Sequence, residues 1–256
     1  MTGELVPLPA AGRTFRATRR IRLSDRAEDG RLRLDSVARY LQDVAMDDVD
    51  ETGWGAPEHL WVMRHVRIDV VTPPIEDDHV ELSTWCSGTA SVAAGRRMSL
   101  EGDHGGRIEL DSVWVHLGPD ARPARIVGFE QYAEAAGGRV VSTRLELPAP
   151  ATGGKRIPWP LRATDVDLLG HVNNAAYWHA VEERLLFVRA DTRLPVRARM
   201  DHRHAVDLDD TVEIAEFASD GQLALAFRVG GVARAVASVE HGRRGPSRID
   251  LFAKEA

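Results

Sequence analysis

The stretch from Thr164 to Glu183 concentrates the groups best suited to do chemistry: Asp165 and Asp167, then Gly170 and His171, then Asn173, Asn174 and Tyr177. Asp167 and His171 stand four positions apart. A carboxylate can take a proton from water or attack an electrophile, and an imidazole exchanges protons near neutrality. Beyond them Tyr177, Val181, Leu185 and Val188 recur at the spacing of one helix face. The spacing predicts a helix whose first N–H groups have no partner inside it. Such a helix mouth favours negative charge, including the oxyanion of a carbonyl under attack. Asp165 can fill the ordinary role of a cap. That leaves Asp167 as base toward water or as the attacking group, with His171 orienting the carbonyl or water and moving a proton. Asn173 and Asn174 fix the turn and its hydrogen bonds, because amides are poor acids and bases. Tyr177 reads as core packing with its hydroxyl satisfied, and Glu183 as a solvated side chain.

Elements able to position this set occur twice. Phe15 to Leu23 reads as a strand, Ser24-Asp25 breaks it, and Gly30 marks a turn. Leu34, Val37, Ala38, Leu41, Val44 and Ala45 then follow helical spacing up to Gly53. Strands follow, with Val66, Ile68 and Val70 alternating with Arg67 and Asp69, and Val80, Leu82 and Thr84 alternating with Glu81 and Ser83. Residues 95–101 and 108–117 complete the set, and a short helical piece spans Phe129–Ala136. Residues 137–160, with Gly137-Gly138 and the Pro148–Gly154 run, read as a linker.

The second half then replays the first. Leu161-Arg162-Ala163-Thr164-Asp165 resembles Ile21-Arg22-Leu23-Ser24-Asp25, with Gly170 and Gly30 each five positions after the aspartate. Asp209-Asp210-Thr211-Val212-Glu213-Ile214 resembles Asp77-Asp78-His79-Val80-Glu81-Leu82, and strands at Gln222–Val229 and Val232–Val239 close the copy. The result is an α+β fold used twice, with an N-terminal unit at 1–136, the linker at 137–160 and a C-terminal unit at 161–256. What the copies share is structural, namely a capped turn and a glycine for a special backbone angle. What only the second copy carries is the better candidate for chemistry. Asp167 faces Ala27, His171 faces Arg31, Asn173 faces Arg33 and Tyr177 faces Val37.

Composition narrows the remaining classes. Of 256 residues 43% are hydrophobic and 28% charged, which suits a globular protein with a sizeable core. No run of about 18 apolar residues predicts a membrane span, and the first residues do not read as a signal peptide. A single cysteine, Cys86, fits a reducing cytoplasm. The net charge of -6 argues against a general nucleic-acid binder. Arg13 to Arg39 nevertheless holds nine arginines against four acids, followed at once by the acidic run Asp43, Asp47, Asp48, Asp50 and Glu51. The histidines show no metal-ligand spacing and no Gly-rich phosphate loop occurs, so neither metal nor cofactor is expected.

These residues resemble the acyl-acyl-carrier-protein (acyl-ACP) thioesterases of the plant and bacterial type. The likeness runs through Leu60-Trp61-Val62, Thr84-Trp85, Gly95-Arg96-Arg97, Ser112-Val113-Trp114-Val115 and above all His171-Val172-Asn173-Asn174 with Tyr177. The resemblance implies a tandem (double) hot-dog, two antiparallel sheets each wrapping a long helix, and hydrolysis of fatty acyl thioesters. The family's catalytic stretch reads Asp-x-Asn-x-His before Val-Asn-Asn; Asp167 and His171 match, and Leu169 stands at the asparagine. A family glutamate in an Arg-Arg-Glu-Cys-like run falls at or beside His204, which makes His204 a catalytic candidate with Asn173. Cys86 is elsewhere, so no cysteine nucleophile is supported. Gly170, Val172, Asn174 and Tyr177 would shape the substrate site. The acyl chain would lie in the first half, lined by Trp61, Met63, Trp85 and Trp114. Arg19, Arg20, Arg96 and Arg97 would steer an acidic carrier protein, or the phosphates of an acyl-CoA.

One chain supplies the two units that single-copy relatives obtain by pairing, so a monomeric pseudo-dimer or a homodimer is expected. Two other classes fit the same scaffold. One is an enoyl-thioester hydratase or dehydratase, whose Asp-x-Asn-Pro-x-His pattern sets aspartate and histidine five apart. The other is a non-catalytic acyl-binding module.

Overall fold

Strand residues here alternate between a greasy and a charged face, and that alternation decides which side of the sheet each helix covers. The computed structural model describes residues 5–54, 59–150 and 153–243. In order the elements are β1 (Thr14–Arg20), α1 (Leu34–Glu51), β2 (Leu60–Thr72), β3 (His79–Thr89), β4 (Ala93–Gly102), β5 (Arg107–Leu117) and α2 (Glu130–Ala136). The second unit follows with β6 (Lys155–Trp159), α3 (Ala176–Phe187), β7 (Ala190–Asp191), β8 (Val196–His202), β9 (Val212–Ser219), β10 (Gln222–Val229), β11 (Val232–Glu240) and β12 (Gly242–Arg243).

Each unit is a five-stranded antiparallel sheet, β1-β3-β4-β5-β2 in the first and β6-β9-β10-β11-β8 in the second. The two orders correspond strand for strand. They meet edge to edge where β2 pairs with β8, so the halves fuse into one ten-stranded sheet. Among the described residues the ten-stranded sheet ends in β1 on one side and β6 on the other. The stretch expected to be linker contains β6, whose Pro158 is tolerated because an edge strand can do without one ladder N–H.

Both long helices pack into a single apolar core. Val37, Leu41 and Val44 of α1 and Val181 and Leu185 of α3 are buried with Val66, Ile68, Leu82, Leu110, Ala198, Met200, Leu225 and Phe227 of the strands. Burying one such side chain stabilises by about 1.5–3 kcal/mol, so this stripe rather than helix propensity holds α1 in place. α1 and α3 touch along their polar edges, where His179 meets both Asp35 (3.3 Å) and Arg39 (3.5 Å). Burial works against ionisation of Asp35, but hydrogen bonds from His179, Arg33 and Arg39 outweigh it and hold the carboxyl well below its usual range.

The opposite face of the sheet is polar. Arg97–Glu109, Arg107–Glu109, Arg67–Asp69 and Arg197–Asp69 pairs line it. At the junction His65 of β2 binds Asp201 of β8 at 2.6 Å, and the other Asp201 oxygen accepts the Leu147 N–H from the inter-unit segment. No helix of the described residues is long and apolar enough to cross a membrane.

Candidate active site

The two Asp-to-Gly turns share one hydrogen-bonded backbone frame, at a constant offset of 140 positions. Asp25 accepts the Arg22 N–H and Asp165 the Arg162 N–H, both at 2.9 Å. Ala27 donates to the Arg31 carbonyl as Asp167 does to His171, Gly30 to Ala27 as Gly170 to Asp167, and Arg33 to Asp25 as Asn173 to Asp165. Gly30 (φ +89°) and Gly170 (φ +78°) adopt the left-handed backbone that a side chain would resist. The shared residues are therefore architectural, as the repeat implies.

What differs sits on this common frame. In the second turn Asp167 is half-buried; its Oδ1 accepts the Leu169 N–H at 2.9 Å, and its Oδ2 has no hydrogen-bond partner among the described residues. His171 lies close by in the same turn, but its ring is held by Asp207, Nδ1 to Oδ1 at 2.7 Å. A carboxylate on Nδ1 keeps the proton there and leaves Nε2 as the working nitrogen. Asp207 lies outside the reactive stretch, just ahead of the repeated Asp209-Asp210, and its place beside His171 is not visible in local spacing. A signal did exist: at the offset of 132 that relates Asp209 to Asp77, Asp207 stands opposite Ile75 and so belongs to the second copy alone.

The helix mouth is arranged differently from the expectation. α3 begins at Ala176, five positions after His171, and its leading amides are taken locally. Ala175 N–H binds the Asn173 side chain at 2.8 Å, Ala176 N–H the Asn173 carbonyl and Trp178 N–H the Ala175 carbonyl. Asn173 thus does the turn-fixing work assigned to it. The Asn174 N–H is left without a partner among the described residues.

Val172 and Tyr177 are buried, the tyrosine ring among Trp159, His202 and Phe227 at 5.1–5.3 Å. Burial pushes the Tyr177 phenol up, away from any proton-transfer role near neutrality. His204 is exposed and its side chain makes no hydrogen bond to Asp167 or His171; its backbone N–H serves the Arg234 carbonyl. Among the described residues, Leu168, Leu169 and Leu208 stand exposed in this turn and beside Asp207.

Trp85 and the arginine pair sit otherwise than expected, because strand neighbours point to opposite faces. Trp85 lies on the outer face with the Arg97 guanidinium 5.3 Å from its ring, lining an open hollow of about 900 Å³ with Glu81, Ser83 and Glu109. It does not line a slot under α1. Arg97 is buried there against Glu109, while Arg96 points the other way and binds Asp48 of α1 at 2.6 Å. Neither presents a free cation. Trp61 belongs to an inner aromatic group with Trp54, His116 and Phe129, Met63 to the main core, and Trp114 packs against that core. The basic stretch is likewise neutralised from within: Arg13 binds Asp48 and Glu51, Arg19 binds Asp47, Arg26 binds Asp78 and Arg31 binds Glu182. Arg20 alone of the four steering candidates is exposed with no ion pair among the described residues.

Burial pushes the Cys86 thiol up, so it is an inert core group. One cluster, Asp77, Asp103 and His104, brings donor atoms within 4.8 Å, but Asp77 Oδ1 already accepts the loop N–H groups of His104 and Gly106.

The fold and the turn together define a tandem hot-dog of the thioesterase kind. Two family models cover most of the chain, the acyl-ACP thioesterase N-terminal domain over residues 12–134 and its C-terminal domain over 150–233. The chain belongs to the acyl-ACP thioesterase family, which makes it a thioester hydrolase by class. An uncharacterised protein of Mycobacterium tuberculosis is 30% identical over 91% of this chain and 94% of its own. The chloroplast oleoyl-acyl carrier protein thioesterase 2 of Arabidopsis thaliana is 27% identical over 70% of this chain and 56% of its own. The solved 12:0-ACP thioesterase of Umbellularia californica superposes with a TM-score of 0.73 at 17% identity, covering 90% of this chain and 98% of its own.

Proposed function

We propose that the protein hydrolyses fatty acyl thioesters carried by acyl carrier protein, at the second of its two turns. One observation carries this reading: two turns with the same backbone frame differ in the side chains they present, and the second carries an unpartnered carboxylate oxygen and, four positions on, an imidazole held by Asp207. Asp167 takes a proton from water as its oxygen bonds to the thioester carbon, and the carbonyl electron pair moves onto oxygen. On collapse the carbonyl re-forms, the C–S bond breaks, and the proton taken up by Asp167 passes through His171 Nε2 to the leaving sulfur. Asp207 keeps the imidazole in the orientation and tautomer this requires. The exposed Leu168, Leu169 and Leu208 give the mouth an apolar lip for the thioester-bearing arm. His204 has no part in this scheme.

The test incubates the purified protein with palmitoyl-ACP, palmitoyl-CoA and crotonyl-CoA while free thiol and enoyl absorbance are followed. Thiol release, faster from palmitoyl-ACP than from palmitoyl-CoA and lost in Asp167→Ala, is the expected result. Loss of enoyl absorbance without free thiol would mark a hydratase instead, and wild-type turnover in Asp167→Ala would end the assignment.

A further inference from the structure

The repeat gives the second turn a partner on the opposite helix. Arg39 and His179 are counterparts at the 140-position offset and touch each other at 3.5 Å, so the pseudo-two-fold axis relating the units passes between them. Across that axis the first turn is closed by α3. Glu182, three positions after His179, clasps Arg31 through both carboxylate oxygens (2.9 and 2.5 Å), and its Oε1 also accepts the Leu34 N–H at 2.6 Å. A carboxylate oxygen thus occupies the free amide at the head of α1.

The same operation turns Arg31 into His171, Leu34 into Asn174 and Glu182 into Gln42. Gln42 lies three positions after Arg39 and on the α1 edge that carries Asp35 and Arg39 toward α3. It is half-buried, and its carboxamide has no hydrogen-bond partner among the described residues; the Asn174 N–H has none either. We infer that Gln42 is a substrate-positioning residue supplied by the first unit to the active turn of the second. Its Nε2–H and the Asn174 N–H converge on the thioester carbonyl oxygen, where the first turn holds an oxygen of Glu182. A neutral donor in place of the carboxylate leaves that position open to substrate. Arg39 and His179, the charged groups beside Gln42 on the facing helix edges, are tied to Asp35 and do not compete for it.

This inference rests on the hydrolase reading, and the experiment separates the two. Gln42→Ala and Gln42→Glu are compared with wild type on palmitoyl-ACP and palmitoyl-CoA, after thermal melting has shown that each variant is folded. Loss of one of two oxyanion donors lowers kcat by about 100-fold with KM within a few-fold. Gln42→Glu rebuilds the first-turn arrangement and is expected to fall further than Gln42→Ala, recovering as pH drops and the new carboxyl is protonated. A second readout is the infrared carbonyl stretch of palmitoyl-CoA bound to Asp167→Ala: it shifts to higher frequency when Gln42→Ala is added. Unchanged kcat in both variants, or an unmoved carbonyl band, overturns the role of Gln42 while Asp167→Ala remains inactive. A wild-type protein that releases no thiol from either substrate overturns the hydrolase reading and this assignment together.

Discussion

The turn at Asp25–Arg33 and the turn at Asp165–Asn173 share a backbone and have opposite interiors. In the first, Ala27, Glu28, Asp29 and Arg31 form an inert turn whose arginine is locked by Glu182 from the facing helix and hydrogen-bonded to Thr192. In the second, Asp167, Leu168, Leu169 and His171 leave a carboxylate oxygen unpaired and an imidazole held from one side only. The contrast extends into the core. Tyr177 and His202 of the second unit stack edge to face, where the first has Val37 at the 140-position offset and Val70 at the 132-position offset. One copy has become a rigid brace for the other, and charge pairing rather than any change of backbone marks the division.

The sharpest way to break that contrast is to remove the unpaired carboxylate. Asp167→Ala is expected to lower kcat by about 10²–10⁴-fold, the range for a lost general base, with the melting temperature nearly unchanged. Placing an aspartate at the matching position, Ala27→Asp, should yield no second activity in an Asp167→Ala background, because Glu182 still fills that turn; thiol release from the double variant would contradict the sealed-turn account.

The brace is tested by Glu182→Ala, which strips buried Arg31 of its two short carboxylate contacts and leaves only Asp29, at 3.7 Å. Breaking a buried pair from one side costs about 3–5 kcal/mol, visible as an earlier urea midpoint. Adding Arg31→Leu should restore much of that loss, since the poorly compensated buried charge is then gone.

His202 sharpens the comparison through pH. It is buried, its Nε2 has no partner among the described residues, and burial pulls its pKa down to about 4. The unfolded chain takes up this proton near pH 6.5 and the folded protein does not, so stability is full above pH 6.5 and declines down to about pH 4. The loss from this group reaches about 3 kcal/mol at most. His202→Val, the residue of the first copy, should flatten melting temperature against pH within that window. Asp35, held low by its partners, affects stability only below about pH 4 and so does not blur the test.

A smaller effect is expected from Asp207→Asn, which keeps a hydrogen bond to His171 but removes the charge that holds its tautomer. We expect about a tenfold lower kcat with KM nearly unchanged. A kcat equal to that of the wild type would mean that Asp207 only fastens the turn.

Much of this was legible in the chain itself. The matched Asp and Gly positions established the duplication, the alternation in Val66–Val70 and Val80–Thr84 established the strands, and the unmatched Asp167 and His171 marked the second turn. Those features are local, because a cap, a glycine with positive φ and a period of two each act within a few residues. The linker reading missed β6 because a short edge strand containing Pro158 carries little pattern of its own. Trp85 was expected in an acyl slot and Arg96 with Arg97 on a steering surface; the pleat instead puts Trp85 and Arg97 on one face and sends Arg96 to the other.

What only the tertiary structure decided were pairings between residues far apart in sequence. Arg31 with Glu182, His171 with Asp207, and the place of Gln42 across the axis all depend on β2 meeting β8 and α1 lying against α3. Spacing along a chain specifies which side chains share a face; which faces then meet is set by the burial of the whole apolar core, a sum over both units that no single stretch contains.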